Sequence, residues 1–243
     1  MDAIKTWWLG LCNDVAVWWS GICDDFYLCF VKEDRYKLIL DGIGVTIKVS
    51  LFAILIGILI GFLIGLCSLS KNKFLNFIGK VYTDVIRGTP SVTQLMIIYF
   101  VVFANVHWEK WIIASIAFGI NSGAYVSEII RAGILSIDKG QTEAGRSLGL
   151  GAVQTMLHIV VPQAVKNIFP ALCNEFIVLI KETAIVGYIG IMDIQKAADF
   201  IKSATFEPFL PLLASAIIYF VLIKILTVSL GFVEKALRKS DVR

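Results

Sequence analysis

The segment EAGRSLGLGAVQTMLHIVVP, residues 143–162, is half polar and interrupted by glycines, although the chain around it is strongly apolar. Just before this segment, Asp138 can cap the start of a short helix. Gln141, three residues later, can return a hydrogen bond to the backbone of the cap. Gly149 is a typical left-handed helix stop, and Pro162 is expected to break a second short helix before the next apolar run. The pattern predicts a helix–turn–helix, an ordered surface element typical of a binding site for a soluble partner, with a merely ordered loop as the alternative.

The composition of the whole chain indicates an integral membrane protein. Its 243 residues are 58% hydrophobic and 17% charged, with a mean hydropathy of +0.80, whereas soluble domains have about 25% charged residues. The net charge of +3 is small and there is no basic tract, so no nucleic-acid partner is expected. The cysteines and histidines are too scattered to predict a metal site, and no cofactor is expected. The cysteines are interpreted as small hydrophobic residues in or near lipid: Cys12, Cys23, Cys29, Cys67 and Cys173.

Five segments are long and apolar enough to span a membrane, which takes about 20 residues. They are predicted at residues 43–69, 85–105, 111–134, 166–190 and 208–233. The sequence therefore predicts an all-α membrane protein with about five transmembrane helices. The second segment contains RGTP at residues 87–90, which is expected to interrupt its helix near the cytoplasmic face for structural reasons.

The distribution of lysine and arginine predicts the orientation, because cytoplasmic connections are enriched in both. The side predicted to be cytoplasmic has Lys71, Lys73, Lys80, Arg87, Arg131, Lys139, Arg146, Lys166, Lys235, Arg238, Lys239 and Arg243. The loops of the other side have only Lys110, Lys196 and Lys202, and the amino-terminal segment adds four basic residues that acidic residues outnumber, Lys5, Lys32, Arg35 and Lys37. Residues 138–162 and a tail of residues 234–243 are thus predicted to be cytoplasmic, and the amino terminus to lie outside.

Residues 1–40 form an amino-terminal extension that contains an amphipathic pattern. At about 100° per residue, most apolar side chains of residues 7–26 fall on one half of a helix. They are Trp7, Trp8, Leu11, Cys12, Val15, Trp18, Trp19, Ile22, Cys23 and Phe26. Four tryptophans on this face predict a helix lying in the membrane interface, with a sixth spanning helix as the alternative.

Small residues recur at every fourth position of the first predicted span. They are Ala53, Gly57, Gly61 and Gly65. Such a stripe lets another helix approach closely. Packing within the subunit is the favoured interpretation, and contact between subunits is the alternative.

The helix–turn–helix resembles the coupling loop of binding-protein-dependent ABC importer permeases, with the pattern E-A-A-x3-G-x9-I-x-L-P. The matching residues are Glu143, Ala144, Gly149, Ile159 and Pro162. Gly145 replaces the second alanine and Val161 replaces the leucine. Glycine in a helix costs about 1 kcal/mol relative to alanine, so Gly145 is expected to loosen the first short helix.

Four further segments resemble the polar amino acid permeases of the histidine, glutamine and arginine type. They are VIRGTPSVTQLMIIYF (85–100), INSGAYVSEIIRAGI (120–134), GQTEAGRSLG (140–149) and NEFIVLIKETAIVGYIG (174–190). The resemblance covers about residues 40–233 and implies the type I ABC importer permease fold over residues 41–233. It does not cover the amino-terminal extension.

The resemblance also implies partners and a mechanism. Such permeases pair as homodimers or close heterodimers, sit on two cytoplasmic ABC ATPase subunits and receive an amino acid from an extracellular or periplasmic binding protein. The loop of residues 138–162 would then be the lever that an ATPase moves. This chain has no GxxxxGK[ST] phosphate-binding sequence, so it is expected to be a transport subunit in the membrane lipid and not an enzyme.

Polar residues within the predicted spans are the candidates for the substrate path, because ionisable groups are costly in lipid. They are Gln94, Asn121, Tyr125, Glu128, Glu175 and Glu182. Asn121, Tyr125 and Glu128 share a helix face, where Glu128 could bind an ammonium or guanidinium group. The alternatives are internal pairs, of Glu128 with Arg131 and of the other two glutamates within the bundle.

Two other classes of function stay open from the residues alone. A secondary transporter or channel is one, although the sequence shows no internal repeat to favour it. A membrane anchor without transport activity is the other, and the charged residues within the spans argue against it. An importer of another polar solute, such as an opine, would keep the same mechanism.

Overall fold

The computed structural model describes residues 17–238, and throughout this range the chain forms helices and short connections without any strand. Three helices are long and apolar enough to cross a membrane, and a bent helix pair would make a fourth span. We number the helices in chain order. They are α1 (17–26), α2 (Tyr36–Leu69), α3 (Lys73–Arg87), α4 (Ser91–Ile97), α5 (Lys110–Leu135), α6 (Lys139–Ser147), α7 (Ala152–Thr155), α8 (Val161–Glu182), α9 (Ile194–Thr205) and α10 (Phe209–Arg238).

Helices α2 and α5 run parallel and form the centre of the molecule. Gly57 of α2 packs against Ser122 of α5, and Gly61 packs one turn further on against Val126. An added Cβ at Gly61 would lie 2.6 Å from the Val126 Cβ, so only glycine permits this approach. The stripe of small residues therefore packs within the subunit, as the favoured interpretation predicted.

The second predicted span is a broken helix whose break is deeper than expected. Helices α3 and α4 meet at residues 88–90 and diverge by 103°. The side chain of Arg87 lies over the Tyr125 ring, 5.3 Å from its centroid, about midway along α5. The expected position near the cytoplasmic face is therefore wrong. The break lies at this level because α3 packs along α2 and α5 before the chain turns, and residues 87–90 themselves are exposed.

Helix α8 runs antiparallel to α5, and no break separates it from the helical segment before it. Residues 152–182 are helical throughout, although the sequence predicted a break at Pro162. A wider turn at Met156–Val160 immediately precedes α8, and the Val161 N–H closes it on the Met156 carbonyl. Pro162 lies directly after this wider turn, and its missing N–H interrupts the hydrogen bonding of the helix without ending it.

The observed helices shift several predicted boundaries. Helix α2 begins seven residues before residue 43 and has 34 residues, or about 51 Å, so it extends beyond a hydrocarbon core of about 30 Å. The fourth predicted span contains all but the first five residues of α8 and a tight 3₁₀ helix, Thr183–Ile189, that stops at left-handed Gly190. Helix α8 has 22 residues and is long enough, but its composition is not apolar enough for it to qualify as a span.

Helix α9 lies at the opposite end of the molecule from α6 and α7. Its amino-terminal cap is Asp193, which is fully buried and accepts hydrogen bonds from the backbone N–H groups of Gln195 and Lys196. The Tyr219 hydroxyl of α10 donates to the same carboxylate at 3.1 Å. Gly42 of α2 packs directly on the Asp193 backbone. These contacts join α9 to both α2 and α10.

Candidate functional site

The half-polar segment forms two helices joined by a tight turn, which we call the coupling loop (residues 138–162). The Asp138 carboxylate accepts a 2.6 Å hydrogen bond from the Gly140 N–H at the start of α6. The sequence suggested that Gln141 returns a hydrogen bond to this cap, but it does not. Its side-chain oxygen instead accepts from the Gln163 amide at 3.2 Å, which joins α6 to α8.

Gly149 supplies the turn that ends α6. Its φ of +85° is the left-handed conformation that the sequence predicted. The Leu150 N–H bonds to the Gly145 carbonyl at 3.1 Å, and the Gly149 N–H bonds to the Arg146 carbonyl at 3.0 Å. This pair of bonds is the Schellman motif, and it satisfies carbonyls that the helix end leaves free.

Gly145 is the point where α6 touches the following helix. It is buried, and an added Cβ would lie 2.7 Å from Ile159 Cδ1 and 2.8 Å from Thr155 Cγ2. Helix α6 remains regular through this position. The departure from alanine is therefore explained by close packing, which offsets the low helix propensity that made a loosened helix the expectation.

The free surface of the coupling loop combines polar and apolar groups. Glu143, Ala144 and Pro162 are exposed, whereas Ile159 is half-buried against α6. The motif did not include two apolar residues that are strongly exposed here, Leu148 at 81% and Val153 at 71%. The sequence feature that could have identified them is a large apolar side chain close to the glycines of a half-polar surface segment.

The helices on either side of the coupling loop, α5 and α8, contact each other directly at its base. The Asn167 amide of α8 donates to the Ser136 hydroxyl at the end of α5, over 2.9 Å. Gly133 of α5 packs tightly against Ile168 of α8. The two helices that flank the loop are therefore held together at its base.

A charged cleft of about 490 Å³ lies between α3 and α5. Its lining residues are Ser68, Asn76, Lys80, Thr83, Asp84, Arg87, Glu128 and Arg131. Of the predicted path residues, Glu128 lines this cleft, where its carboxylate accepts a 2.8 Å bond from Arg131. Tyr125 reaches it through Arg87, which lies over the tyrosine ring. Asp84 was not among the residues predicted from the sequence, and Arg87 was predicted only as part of the helix-breaking RGTP segment.

Gln94 and Asn121 contact each other instead of lining the cleft. The Asn121 amide donates to the Gln94 side-chain oxygen at 2.9 Å, and both residues are buried. The Gln94 amide donates to the Ile86 carbonyl at 2.7 Å and to the Thr89 hydroxyl at 2.6 Å. This network holds the bend between α3 and α4 and ties it to α5.

The remaining two predicted path residues lie elsewhere. The Glu175 carboxylate, on α8, accepts a 2.8 Å hydrogen bond from the Ser122 hydroxyl of α5. Since Gly57 of α2 packs on the same serine, this pair lies between α2, α5 and α8. Glu182 is the last residue of α8 and is half-buried.

The cleft also weakens the count of basic residues used for orientation. Lys80, Arg87 and Arg131 were counted as residues of connecting loops, yet all three line the cleft between helices.

Within residues 17–238 no group of histidine, cysteine, aspartate and glutamate is arranged to hold a metal ion.

Comparison with known proteins relates this architecture to transport. Residues 54–239 match the family described as binding-protein-dependent transport system inner membrane component. The chain is 41% identical over 201 residues to a putative glutamine transport system permease protein GlnP of Rickettsia bellii, covering 82% of this chain and 92% of the relative. It is 42% identical over 205 residues to the arginine transport system permease protein ArtQ of Bacillus subtilis, covering 84% and 94%.

A solved structure shares the fold. The crystal structure of an amino acid ABC transporter with histidines superposes with a TM-score of 0.78 at 41% identity. The match covers 85% of this chain and 98% of the solved chain. The helices described above therefore follow the arrangement of the solved chain over almost the whole length of that chain.

Proposed function

The chain belongs to the family of binding-protein-dependent transport system inner membrane components, and from this membership we propose how it moves a polar amino acid across the membrane. It is the permease subunit of an amino acid ABC importer, a multi-pass protein of the inner membrane. The carrying observation is the coupling loop: an ordered surface element, fastened to two bundle helices, in a chain of this family.

In the proposed mechanism the coupling loop is the docking site of the ATPase. Glu143 and Ala144 present a polar edge of α6, and Leu148 beside them presents an apolar one. An exposed apolar residue with a polar rim is typical of protein interfaces. ATP is hydrolysed by partner subunits, two to each transporter, since this chain has no phosphate-binding loop of its own.

Movement of the loop would reach the charged cleft through α5. The carboxyl end of α5 leads into the loop, and the same helix presents Glu128 and Arg131 to the cleft. A shift of α5 against α3 changes the width of the cleft and the position of its charges. Such a shift would alternate access between the two faces of the membrane.

The cleft has the chemistry for a polar amino acid. Asp84 and Glu128 are suited to an ammonium group, and Arg87 and Lys80 are suited to a carboxylate. Tyr125 and Glu128 thus stay in the proposed substrate path. Gln94 and Asn121 are proposed to act on it through the bend, and Glu175 and Glu182 from outside the cleft. The relatives are named as a putative glutamine and an arginine transport system permease protein, which agrees with a polar amino acid as cargo.

The orientation and assembly follow from the same proposal. We place the coupling loop and the carboxyl terminus in the cytoplasm and the amino terminus outside, so that α9 faces the amino acid-binding protein. Parallel α2 and α5 agree with two spans separated by one return. A second permease copy or paralogue completes the membrane part.

The test is co-purification of the detergent-solubilised chain with a candidate ABC ATPase, followed by ATP-driven uptake in vesicles. Glu143→Lys together with Leu148→Asp is expected to abolish co-purification. The matched control Lys71→Glu, an exposed charge reversal in the α2–α3 connection, should leave it intact. If neither the intact chain nor the control retains any ABC ATPase, the importer assignment is wrong. Secondary transport, measured as uptake without ATP, would then explain the fold.

A further inference from the structure

The chain is longer than its relatives at the amino-terminal end. Alignment with the GlnP protein covers 92% of that relative yet leaves 42 of the 243 residues of this chain unmatched. The solved transporter chain is covered to 98%, again with 85% of this chain. The family match begins at residue 54, and only four residues follow its end at 239. The surplus therefore lies mainly before the shared bundle.

The described part of this surplus, residues 17–35, packs on the helix at the face opposite the coupling loop. We call it the amino-terminal clip. Cys29 is fully buried and Phe30 is 8% exposed, in a cluster with Ala197 and Ile201 of α9. Ala214 and Ile218 of α10 pack against the same cluster. The clip thus covers the side of α9 that would otherwise be an open apolar surface.

The turn between the clip and α2 is fixed by a buried arginine. Glu33 and Asp34 have φ values of +59° and +54°, in the left-handed region that side chains other than glycine rarely adopt. The Arg35 guanidinium donates to the Leu28 carbonyl at 2.7 Å and to the Glu33 carboxylate at 3.0 Å. Such a strained backbone persists only where the surrounding structure determines it, so the clip is held in one defined position.

The outer surface of the clip is aromatic and uncovered. Trp18, Trp19 and Tyr27 are 64%, 63% and 58% exposed. Tryptophan and tyrosine are enriched where a protein meets the membrane–water interface. Tyr36 and Leu40, at the start of α2, are also exposed and continue this surface onto the lipid-facing side of the first span.

An apolar cleft of about 280 Å³ lies where the clip, α2 and α10 meet. Phe26 and Phe30 form its wall on the clip, Leu40 on α2, and Ala214 and Ile218 on α10. Helix α10 has few buried residues and is a spanning helix, so its free surface contacts lipid. The cleft therefore opens onto the hydrocarbon region, and an acyl chain is the occupant that this continuity provides.

We propose that the amino-terminal clip is a membrane-interface anchor that holds α9 in place, and that its cleft binds one acyl chain of the surrounding lipid. The anchor lies in the leaflet at the face opposite the coupling loop. The inference does not depend on ATPase docking, because its contacts are all at the other end of the molecule. Trp7, Trp8, Leu11, Cys12 and Val15, the other residues of the predicted amphipathic face, lie outside the described residues.

The placement of the clip is tested by tryptophan fluorescence of the full chain in lipid vesicles. The contribution of the clip is the difference between the native chain and the Trp18→Phe/Trp19→Phe variant. Lipids brominated near the head of the acyl chain should quench this difference signal at least about twofold, and aqueous iodide should not. Quenching by iodide alone would overturn the anchor. Strongest quenching by bromine at the chain end would indicate a spanning helix and overturn it equally.

The acyl-chain site is tested with a lipid that carries a photoreactive group on its chain. Illumination should label the peptides containing Phe30 and Leu40. Ala214→Trp, which fills the cleft, should remove most of that labelling. The matched control Ile217→Trp, at an exposed position of the same helix, should not. Leu40→Trp at the exposed rim is a second filling variant, should Ala214→Trp fail to fold. Unchanged labelling in the filling variants would overturn the site.

Discussion

At the scale of single residues, glycine and one buried aspartate set the local geometry. Gly149 permits the left-handed turn of the coupling loop, and Gly145 permits the contact of α6 with the following helix. Asp193 caps α9 and receives a hydrogen bond from α10. Each acts through a backbone or buried polar contact that few other side chains can reproduce.

Replacing Gly149 with alanine should loosen the coupling loop. A left-handed conformation costs a residue other than glycine about 1–2 kcal/mol. Hydrogen exchange of the α6 amides should therefore accelerate by a factor of about 5–30. Gly151→Ala is the matched control, because Gly151 has a φ of −64° and room for a methyl group. Equal exchange in both variants would show that the turn does not hold the loop.

The Asp193 carboxyl predicts a pH dependence of stability. Burial raises its pKa above the usual range, while the bonds from Lys196, Gln195 and Tyr219 oppose that shift. Since the folded pKa exceeds the unfolded value of about 3.9, the contribution of this carboxyl to stability is fully present below that value and is lost as the pH rises through the folded pKa.

Asp193→Asn keeps an acceptor for the cap and cannot ionise, so its melting temperature should vary less with pH over this range. Asp138→Asn, the same change at the exposed cap of α6, is the control. Melting curves of the solubilised chain at several pH values would decide. A pH dependence in Asp193→Asn equal to that of the native chain would assign the effect to other groups.

At the scale of elements, the bundle depends on two helix relations: close packing of α2 on α5, and the bend between α3 and α4. The packing of α2 on α5 depends on glycines, which have no side chain. The bend depends on Gln94, whose polar atoms are all hydrogen-bonded. Both relations are set by the interior and leave the lipid-facing sides of the helices free to vary.

Gly61→Val should disrupt the contact of α2 with α5. Its Cβ would lie 2.6 Å from the Val126 Cβ and 3.0 Å from the Gly123 carbonyl oxygen. Overpacking of this kind costs about 1–3 kcal/mol, and each kcal/mol lowers the melting temperature by about 2–4 °C in a chain of this size. A Cβ at Gly44 on the same helix meets no atom within 4 Å, so Gly44→Val should melt like the native chain.

Gln94→Leu should destabilise the bend. It removes the partners of the Ile86 carbonyl, the Thr89 hydroxyl and the Asn121 amide. A buried polar group without a partner costs about 1–3 kcal/mol. Gln163→Leu is the control, since water can replace its partners at the exposed loop. A similar loss of thermal stability in the two variants would argue against a special role for the bend.

At the scale of the whole molecule, two functional regions lie at different depths of one bundle. The coupling loop occupies one face, α9 and the clip occupy the other, and the charged cleft lies between α3 and α5. Helix α5 connects the loop to the cleft. The proposed transport cycle therefore depends on how α5 moves and not on a single catalytic group.

Glu128→Gln should weaken uptake without weakening ATPase binding. It removes one of the two acidic groups of the cleft and the partner of Arg131. We expect KM for the amino acid to rise about tenfold, equivalent to about 1.4 kcal/mol. Asp34→Asn, which removes the carboxylate partner of Lys37 in another i,i+3 ion pair outside the cleft, is the matched control with an unchanged KM. An equal change in both variants would place the substrate path elsewhere.

The sequence by itself determined the membrane class, the small-residue stripe, the left-handed turn at Gly149 and the family of the chain. These features depend on composition, periodicity and short-range backbone geometry, which neighbouring residues define. They also limited the substrate path to a few polar residues within apolar segments, of which Glu128 lines the cleft and Tyr125 adjoins it through Arg87.

Only the tertiary structure decided the depth of the RGTP break, the continuous helix through Pro162 and the packing role of Gly145. It also separated Glu175 from the cleft and brought Asp84 and Arg87 into it. These outcomes depend on which helices become neighbours, and contacts between residues far apart in the chain decide that. A local pattern cannot reveal them, because the same residue is a path residue or a packing residue according to the helix it faces.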